Sequence, residues 1–205
     1  MPESSPRPWP PLMQIVFALL LLALAAAATR GPLQAQATTS ALAAFASVLP
    51  ASYCGSDMVA ERVEISDPAA LGSEAPMPLW RVRRGGEICA LVIDAIASGY
   101  GGPLRLRIGL APDGTLLGTR VIEHRETRGL GDAFEHDDGR WLTQLAGRSL
   151  ADPPDSRWAL RRDGGEFDQF SHATVTPRAI LARVKAVLLA YSIQRDRWLT
   201  LAPAA

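Results

Sequence analysis

The chain has 205 residues, 48% of them hydrophobic, and its 21 basic and 21 acidic residues cancel to a formal net charge of zero. That balance gives no bulk electrostatic reason to expect nucleic-acid binding, and the size suits one globular domain plus an apolar appendage. Lys185 is the only lysine, which with the abundant alanine reads as a bias of genome composition and not as an RNA-binding signature.

Residues 1–11, MPESSPRPWPP, form a short Pro-rich leader. Residues 12–29 are an 18-residue run whose only clearly polar members are Gln14 and Thr29. Such a run is just long enough to cross a bilayer as a helix, with Trp9 as an interfacial anchor. Arg7 and the terminal amine on one side face Arg30 on the other, so charge orients the span weakly, and the brevity of the leader favours an N-terminus inside. A cleaved signal peptide competes, with Ala35-Gln36-Ala37 as a small-x-small site. The run exceeds a signal core and the site lies several residues beyond it, which favours the anchor. Both alternatives send residues 38–205 out of the cytoplasm. Residues 38–49, TTSALAAFASVL, suit a helix continuing from the span until Pro50 stops it.

Cys54 and Cys89 are the only cysteines. Paired, they close a loop that stabilises by roughly 3–4 kcal/mol on the chain-entropy estimate. Unpaired, Cys89 is an ordinary buried thiol within the apolar run 88–96. No spacing matches a zinc or iron–sulfur site.

Residues 80–83, a Gly85-Gly86 turn and the apolar run 88–96 predict a hairpin. Residues 104–110, LRLRIGL, alternate strictly as a half-buried strand does, and Asp113-Gly114 turns the chain into another strand over 115–124. Residues 137–147 read as a loop and a short helix with Trp141, Leu142 and Leu145, and 158–162 as a strand that Asp163-Gly164-Gly165 turns back. Thr176 is a good N-cap and Pro177 suits a first turn, so a helix is predicted from there to about Arg197. Ile180, Leu181, Val184, Val187, Leu188 and Tyr191 fall on one of its faces. Hairpins followed by a long helix give an α+β domain.

Three polar stretches carry what chemistry there is. Residues 98–103, SGYGGP, have the wrong spacing for a dinucleotide fingerprint. They are either a tight strand connection or a place where bare backbone approaches a flat ligand, with Tyr100 as its cover. Residues 124–132, HRETRGLGD, are a polar turn or the lining of a pocket. In residues 167–180, FDQFSHATVTPRAI, the hydroxyls of Ser171, Thr174 and Thr176 sit at or just before a helix N-terminus, where they cap the helix or accompany a bound phosphate. A hydrolase triad of Ser171, His172 and Asp168 lacks a GxSxG elbow, and sequence neighbours rarely meet in triad geometry. His124, His136, His172 and Asp137 have no metal-ligand spacing, so no metal and no catalytic residue is assigned.

SGYGGP, HRETRGLGD and RRDGGEFDQFSHATVTPRAI, in that order over residues 90–190, resemble the FMN-binding domain of the family of Rnf electron-transport complex G subunits. The same domain occurs in the C subunit of the sodium-translocating NADH:quinone oxidoreductase, which the three motifs together resemble less. The family signature is Asp, two residues, Ser or Thr, Gly, Ala, then Ser or Thr. Here it falls on Asp168, Ser171, His172, Ala173 and Thr174. The resemblance implies covalent FMN on Thr174 through a phosphoester, attached by a flavin transferase of the ApbE type that uses FAD and magnesium. Asp168 and Ser171 would help present that hydroxyl. Tyr100, Glu126, Thr127, Gly129 and Leu130 would contact the flavin, with Ala173 and Thr176 beside it. His172 stands where the family has Gly, and Arg128 where Pro is common. A histidine there resists a positive φ less than most residues do.

The implied protein is an electron-relay subunit of a membrane-bound ion-translocating complex, partnered by its other membrane subunits. It would be single-pass in a bacterial inner membrane with its main domain on the periplasmic side. Residues 1–11 would form the cytoplasmic N-terminus, 12–29 the anchor, 30–50 a juxtamembrane linker, and 51–205 the extracytoplasmic FMN-binding domain of antiparallel strands packed with helices. An exported FMN-domain module that has lost its flavin through His172 is the alternative from another class.

Overall fold

Successive side chains of a strand point to opposite faces of a sheet, and the chain builds five strands in sequence order. They are β1 (Val59–Ile65), β2 (Met77–Arg84), β3 (Glu87–Ser98), β4 (Pro103–Leu110) and β5 (Leu116–Glu123). Each pairs antiparallel with the next in one sheet of order β1-β2-β3-β4-β5. This computed structural model describes residues 13, 16, 17, 19–21, 45–50, 53–55, 57–170 and 173–202. The chain divides into a unit of residues 1–41 and a unit of residues 42–205. In the first, the described residues Met13, Val16, Phe17 and Leu19, Leu20 and Leu21 are helical and exposed. Among the described residues no helix is long and apolar enough to cross a membrane. The predicted span over 12–29 and the predicted helix over 38–49 lie mostly outside the described residues.

The predicted hairpin is present, with Gly85 and Gly86 both at positive φ (59° and 90°) in the two-residue connection from β2 to β3. Such a turn requires φ > 0 at both positions, which glycine adopts without a steric cost. A short helix, α1 (Pro68–Leu71), joins β1 to β2 and is capped by Asp67, whose carboxylate accepts the Ala70 N–H.

The core face carries Leu79 from β2, Leu91, Ile93 and Ala95 from β3, and Leu104, Leu106 and Ile108 from β4, all buried. Against it lies the long helix α3 (Val175–Thr200), which buries Ile180, Leu181, Val184, Val187, Leu188 and Tyr191, with non-helical dihedrals at Gln194. Those are the apolar residues expected on its buried face. Each fully buried side chain of this kind contributes about 1.5–3 kcal/mol. A one-turn helix, α2 (Arg140–Thr143), supplies Leu142 to the same core, and Leu145 follows it.

The opposite face is covered by Phe45, Val48 and Leu49. Phe45 packs edge-on against Trp80 with ring centroids 5.3 Å apart, and the Arg107 guanidinium lies over both rings. A Cβ on Gly109 or Gly118 would come within 2.5 or 2.8 Å of the Val48 carbonyl oxygen, so only bare backbone fits there. On the same face the fully buried Asp94 accepts two hydrogen bonds from Arg107 (2.8 and 3.0 Å) and pairs with Arg105. Cys54 and Cys89 form a disulfide, Cα to Cα 5.8 Å, which joins the segment ahead of β1 to β3.

The predicted strand over 158–162 is not one. Two 3-10 turns, Asp155–Arg157 and Arg161–Asp163, flank a single parallel bridge between Leu160 and Phe167. Trp158 and Leu160 are buried anchors, while the Ala159 and Asp163 amides donate locally to Arg157 and Leu160. The Arg161 N–H donates to the Phe167 carbonyl and the Ala159 carbonyl accepts from Glu166 and Phe167, so the run is satisfied by the residues that turn back on it and forms no strand. The helix expected to start at Thr176 starts at Val175, with Thr174 at the N-cap and Thr176 inside the first turn.

Candidate functional site

The predicted SGYGGP stretch connects β3 to β4, and HRETRGLGD follows β5. Because β4 and β5 are antiparallel neighbours, with Arg105 opposite Glu123, both loops leave the same end of the sheet. There they meet the start of α3. Between them lies a cleft of about 290 Å³ lined by Tyr100, Glu126, Thr127, Leu130, Gly131, Ala173, Thr174, Val175 and Thr176.

Glu126 is its floor. It is 7% exposed, and its two carboxylate oxygens accept from separate partners: the Gly101 N–H at 3.0 Å and the Thr176 hydroxyl at 2.9 Å. One side chain therefore ties the β3–β4 loop to the first turn of α3. The loop backbones close around it, since a Cβ on Gly99 or Gly131 would fall 2.2 or 2.3 Å from its oxygens. The Glu126 N–H donates to His124 Nδ1 (3.1 Å), which leaves His124 Nε2 to donate to Glu135 (2.9 Å). Gly129, at φ 78°, donates its N–H to the buried Asp132 carboxylate and turns the loop outside the cleft lining. Thr127 accepts the Gly131 N–H through its carbonyl and stands at the rim.

The rim is apolar and open to solvent: Tyr100 is 78% exposed, Leu130 51% and Val175 48%. Half-buried Thr174 lies between rim and floor. Its hydroxyl makes no cap hydrogen bond and instead accepts from Arg178 Nη1 at 3.3 Å. Arg178 donates two further bonds, both 2.6 Å, to the Asp163 carboxylate. Those bonds hold the Asp163 carboxyl below the usual carboxylate range and raise the Arg178 guanidinium above its ordinary value.

Of the residues singled out in the sequence, the structure brings Tyr100, Glu126, Thr127, Leu130, Ala173, Thr174 and Thr176 together in one cleft. Asp168 lies apart from them: its exposed carboxylate pairs with Arg161 (3.1 Å). Its backbone is fixed by α2 and the residue after it, the carbonyl accepting Trp141 Nε1 (2.7 Å) and the N–H donating to Gln144 (2.8 Å). Ser171 and His172 lie outside the described residues. Arg178, Asp163, Gly131 and Val175 are additional to the sequence assignment. The signal for Arg178 is its spacing of four from Thr174, which places both on one helix face once the helix start is fixed. Among the described residues no group of three or more His, Cys, Asp or Glu side chains is placed to hold a metal.

The arrangement fits a flat, partly apolar ring with an anionic tail. Exposed apolar walls gain from being covered, a hydroxyl stands at the mouth, and a guanidinium and the first-turn amides of α3 face that hydroxyl's surroundings.

A family model described as an FMN-binding domain matches residues 99–189. The chain is 41% identical over 184 residues to the G subunit of the ion-translocating oxidoreductase complex of Cereibacter sphaeroides, covering 90% of this chain and 82% of that one. It is 41% identical over 174 residues to the protein of the same description in Cronobacter sakazakii, covering 83% of each. Among solved structures, NqrC of Shewanella oneidensis aligns with a TM-score of 0.49 at 20% identity, over 66% of this chain and 69% of that one.

Proposed function

This chain belongs to the family of G subunits of ion-translocating oxidoreductase complexes and carries an FMN-binding domain, and from that premise we propose that it relays electrons through FMN esterified to Thr174. The observation that carries the proposal is the placement of the Thr174 hydroxyl, free of capping duty, at the mouth of a cleft walled by Tyr100, Leu130 and Val175. FMN, when bound, supplies reversible electron transfer, and the protein supplies placement and electrostatics. Tyr100, Leu130, Val175 and Ala173 would cover the ring system and exclude water from it. Glu126 would fix both loops against the helix, so that the walls keep their spacing. Thr127 and Thr176 add polar lining, with Thr176 already committed to Glu126. Gly129 acts through the loop it turns, and Asp168 would serve at the surface, where a flavin transferase of the ApbE type would approach.

The same proposal places residues 1–11 in the cytoplasm, an anchor over 12–29 in the inner membrane, a linker over 30–50, and the domain of residues 51–205 on the periplasmic side beside the complex's other membrane subunits. The apolar run over 12–29 supports the anchor. The Cys54–Cys89 disulfide supports an oxidising compartment. The test is gel fluorescence after SDS denaturation of the chain coexpressed with its transferase. A flavin band in the wild type that disappears in Thr174→Ala is the expected result, and its absence beside a control substrate that is flavinylated sinks the proposal. Reverting His172 to Gly in the same assay measures what that departure costs in yield.

A further inference from the structure

We infer that Arg178, held in place by Asp163, is the positioning residue for the phosphoester at Thr174, orienting the acceptor oxygen before attachment and pairing with the phosphate after it. This rests on the attachment proposed above and adds a residue that the signature ending at Thr174 does not contain.

The guanidinium has two usable edges, and the structure divides them. Nε and Nη2 are taken by the two oxygens of Asp163, both at 2.6 Å. Nη1 is thereby turned toward Thr174 Oγ1, 3.3 Å away. Two parallel bonds to a carboxylate fix the plane of an arginine in a way that a single contact cannot. Asp163 is itself fixed, because its N–H donates to Leu160 and the turn it ends closes at Gly164 with φ 86°. The guanidinium is half-exposed, at 48% for the side chain, so nothing about core packing requires it there.

The placement also runs against the helix. Arg178 lies four residues past the N-cap of α3, whose first turn contains no acidic residue. A cation at the positive end of a helix dipole is unfavourable unless an anion is present. Asp163 supplies one charge from outside. A phosphodiester on Thr174 would supply the second, within reach of Nη1 and of the first-turn amides, where an anion is favoured.

Thr174 Oγ1 forms a bond to the FMN-side phosphorus of FAD, the pyrophosphate bond to AMP breaks, AMP leaves, and the hydroxyl proton passes to a base of the transferase. A donor on Oγ1 holds its free lone pair toward the incoming phosphorus.

The test uses the full chain in detergent with two readouts. The first is the initial rate of covalent flavin incorporation from FAD, magnesium and the transferase. Arg178→Gln should lower it at least tenfold, and Arg178→Lys, which restores the cation but cannot serve Asp163 and Oγ1 together, should recover only part of the loss. The second is binding of free FMN against riboflavin to the unflavinylated chain. Arg178→Gln should weaken FMN at least tenfold and leave riboflavin unchanged, because riboflavin lacks the phosphate. Wild-type incorporation and FMN binding in Arg178→Gln overturn the inference, as does an equal loss for FMN and riboflavin, which marks a merely structural role. If the wild type takes no covalent flavin while a control substrate does, the attachment proposal fails on its own, and the FMN-against-riboflavin comparison still decides Arg178. A wild type that neither incorporates flavin nor binds free FMN overturns both.

Discussion

Glu126→Ala removes the side chain that ties the β3–β4 loop and its own loop to the first turn of α3. It leaves the Gly101 N–H and the buried Thr176 hydroxyl without their acceptor. An unpaired buried donor costs about 1–3 kcal/mol, so the two together, with some loss of packing, come to about 3 kcal/mol. In a domain of this size that corresponds to a fall of roughly 6–12 °C in Tm. Glu126→Gln is milder, at about 1 kcal/mol, because its amide oxygen still accepts from Gly101 while the Thr176 hydroxyl rotates to accept from its amide nitrogen. Urea unfolding followed by tryptophan fluorescence measures both variants, and amide exchange at Gly101 reports the freed loop directly. Thr176→Val completes a double-mutant cycle, in which the coupling to Glu126→Ala should be at least about 1 kcal/mol. A Glu126→Ala protein within about 0.5 kcal/mol of wild type, or strict additivity with Thr176→Val, would falsify the view that this carboxylate is the hub of the site.

Asp94→Ala should destabilise the domain by about 3 kcal/mol, because it strands Arg105 and Arg107 beside a removed anion at the centre of the sheet; chemical denaturation checks it. Tyr191 gives a pH signature. Burial holds its hydroxyl above the ordinary value of 10.0, so the fold favours the neutral form, whose O–H donates to the Pro112 carbonyl at 2.9 Å. That stabilisation is complete below the unfolded-state value and is lost as pH rises through the folded one. Tyr191→Phe should therefore cost about 1 kcal/mol at neutral pH, and the gap to wild type should close as thermal melts are taken above about pH 10.

β2 through β5 were legible because an apolar run over 88–96, strict alternation over 104–110 and the Gly-Gly and Asp-Gly turns are local signals. β1 was not. Its sequence VAERVEI interleaves three charged residues with apolar ones at the sheet edge, where half-exposed positions blur the pattern. The start of α3 shows the limit most sharply. Thr174 and Thr176 are chemically identical caps two residues apart, and a capping rule has no means of choosing between them. The choice is made by Glu126, fifty residues away in sequence, which takes the Thr176 hydroxyl for itself and leaves Thr174 at the N-cap, its own hydroxyl free of capping and accepting only from Arg178. The residues that make Thr174 available for chemistry are thus found in tertiary structure, although the loops that carry them can be recognised in the sequence.

β4 and β5 connect two features that the sequence presents as unrelated. At one end Pro103 and Glu123 open into the loops of the cleft. Near the other, Gly109 and Gly118 receive the Val48 carbonyl so closely that neither tolerates a Cβ. Six residues of strand separate Gly109 from Pro103, about 20 Å at the rise of an extended chain. The segment of residues 45–49 therefore packs directly on the pair of strands that presents the cleft, with its own Phe45 stacked on Trp80 beneath Arg107 and the Cys54–Cys89 disulfide following it in sequence. Within the unit of residues 42–205, hydrogen-bonded strands therefore run from the place where that segment packs to the loops that line the cleft.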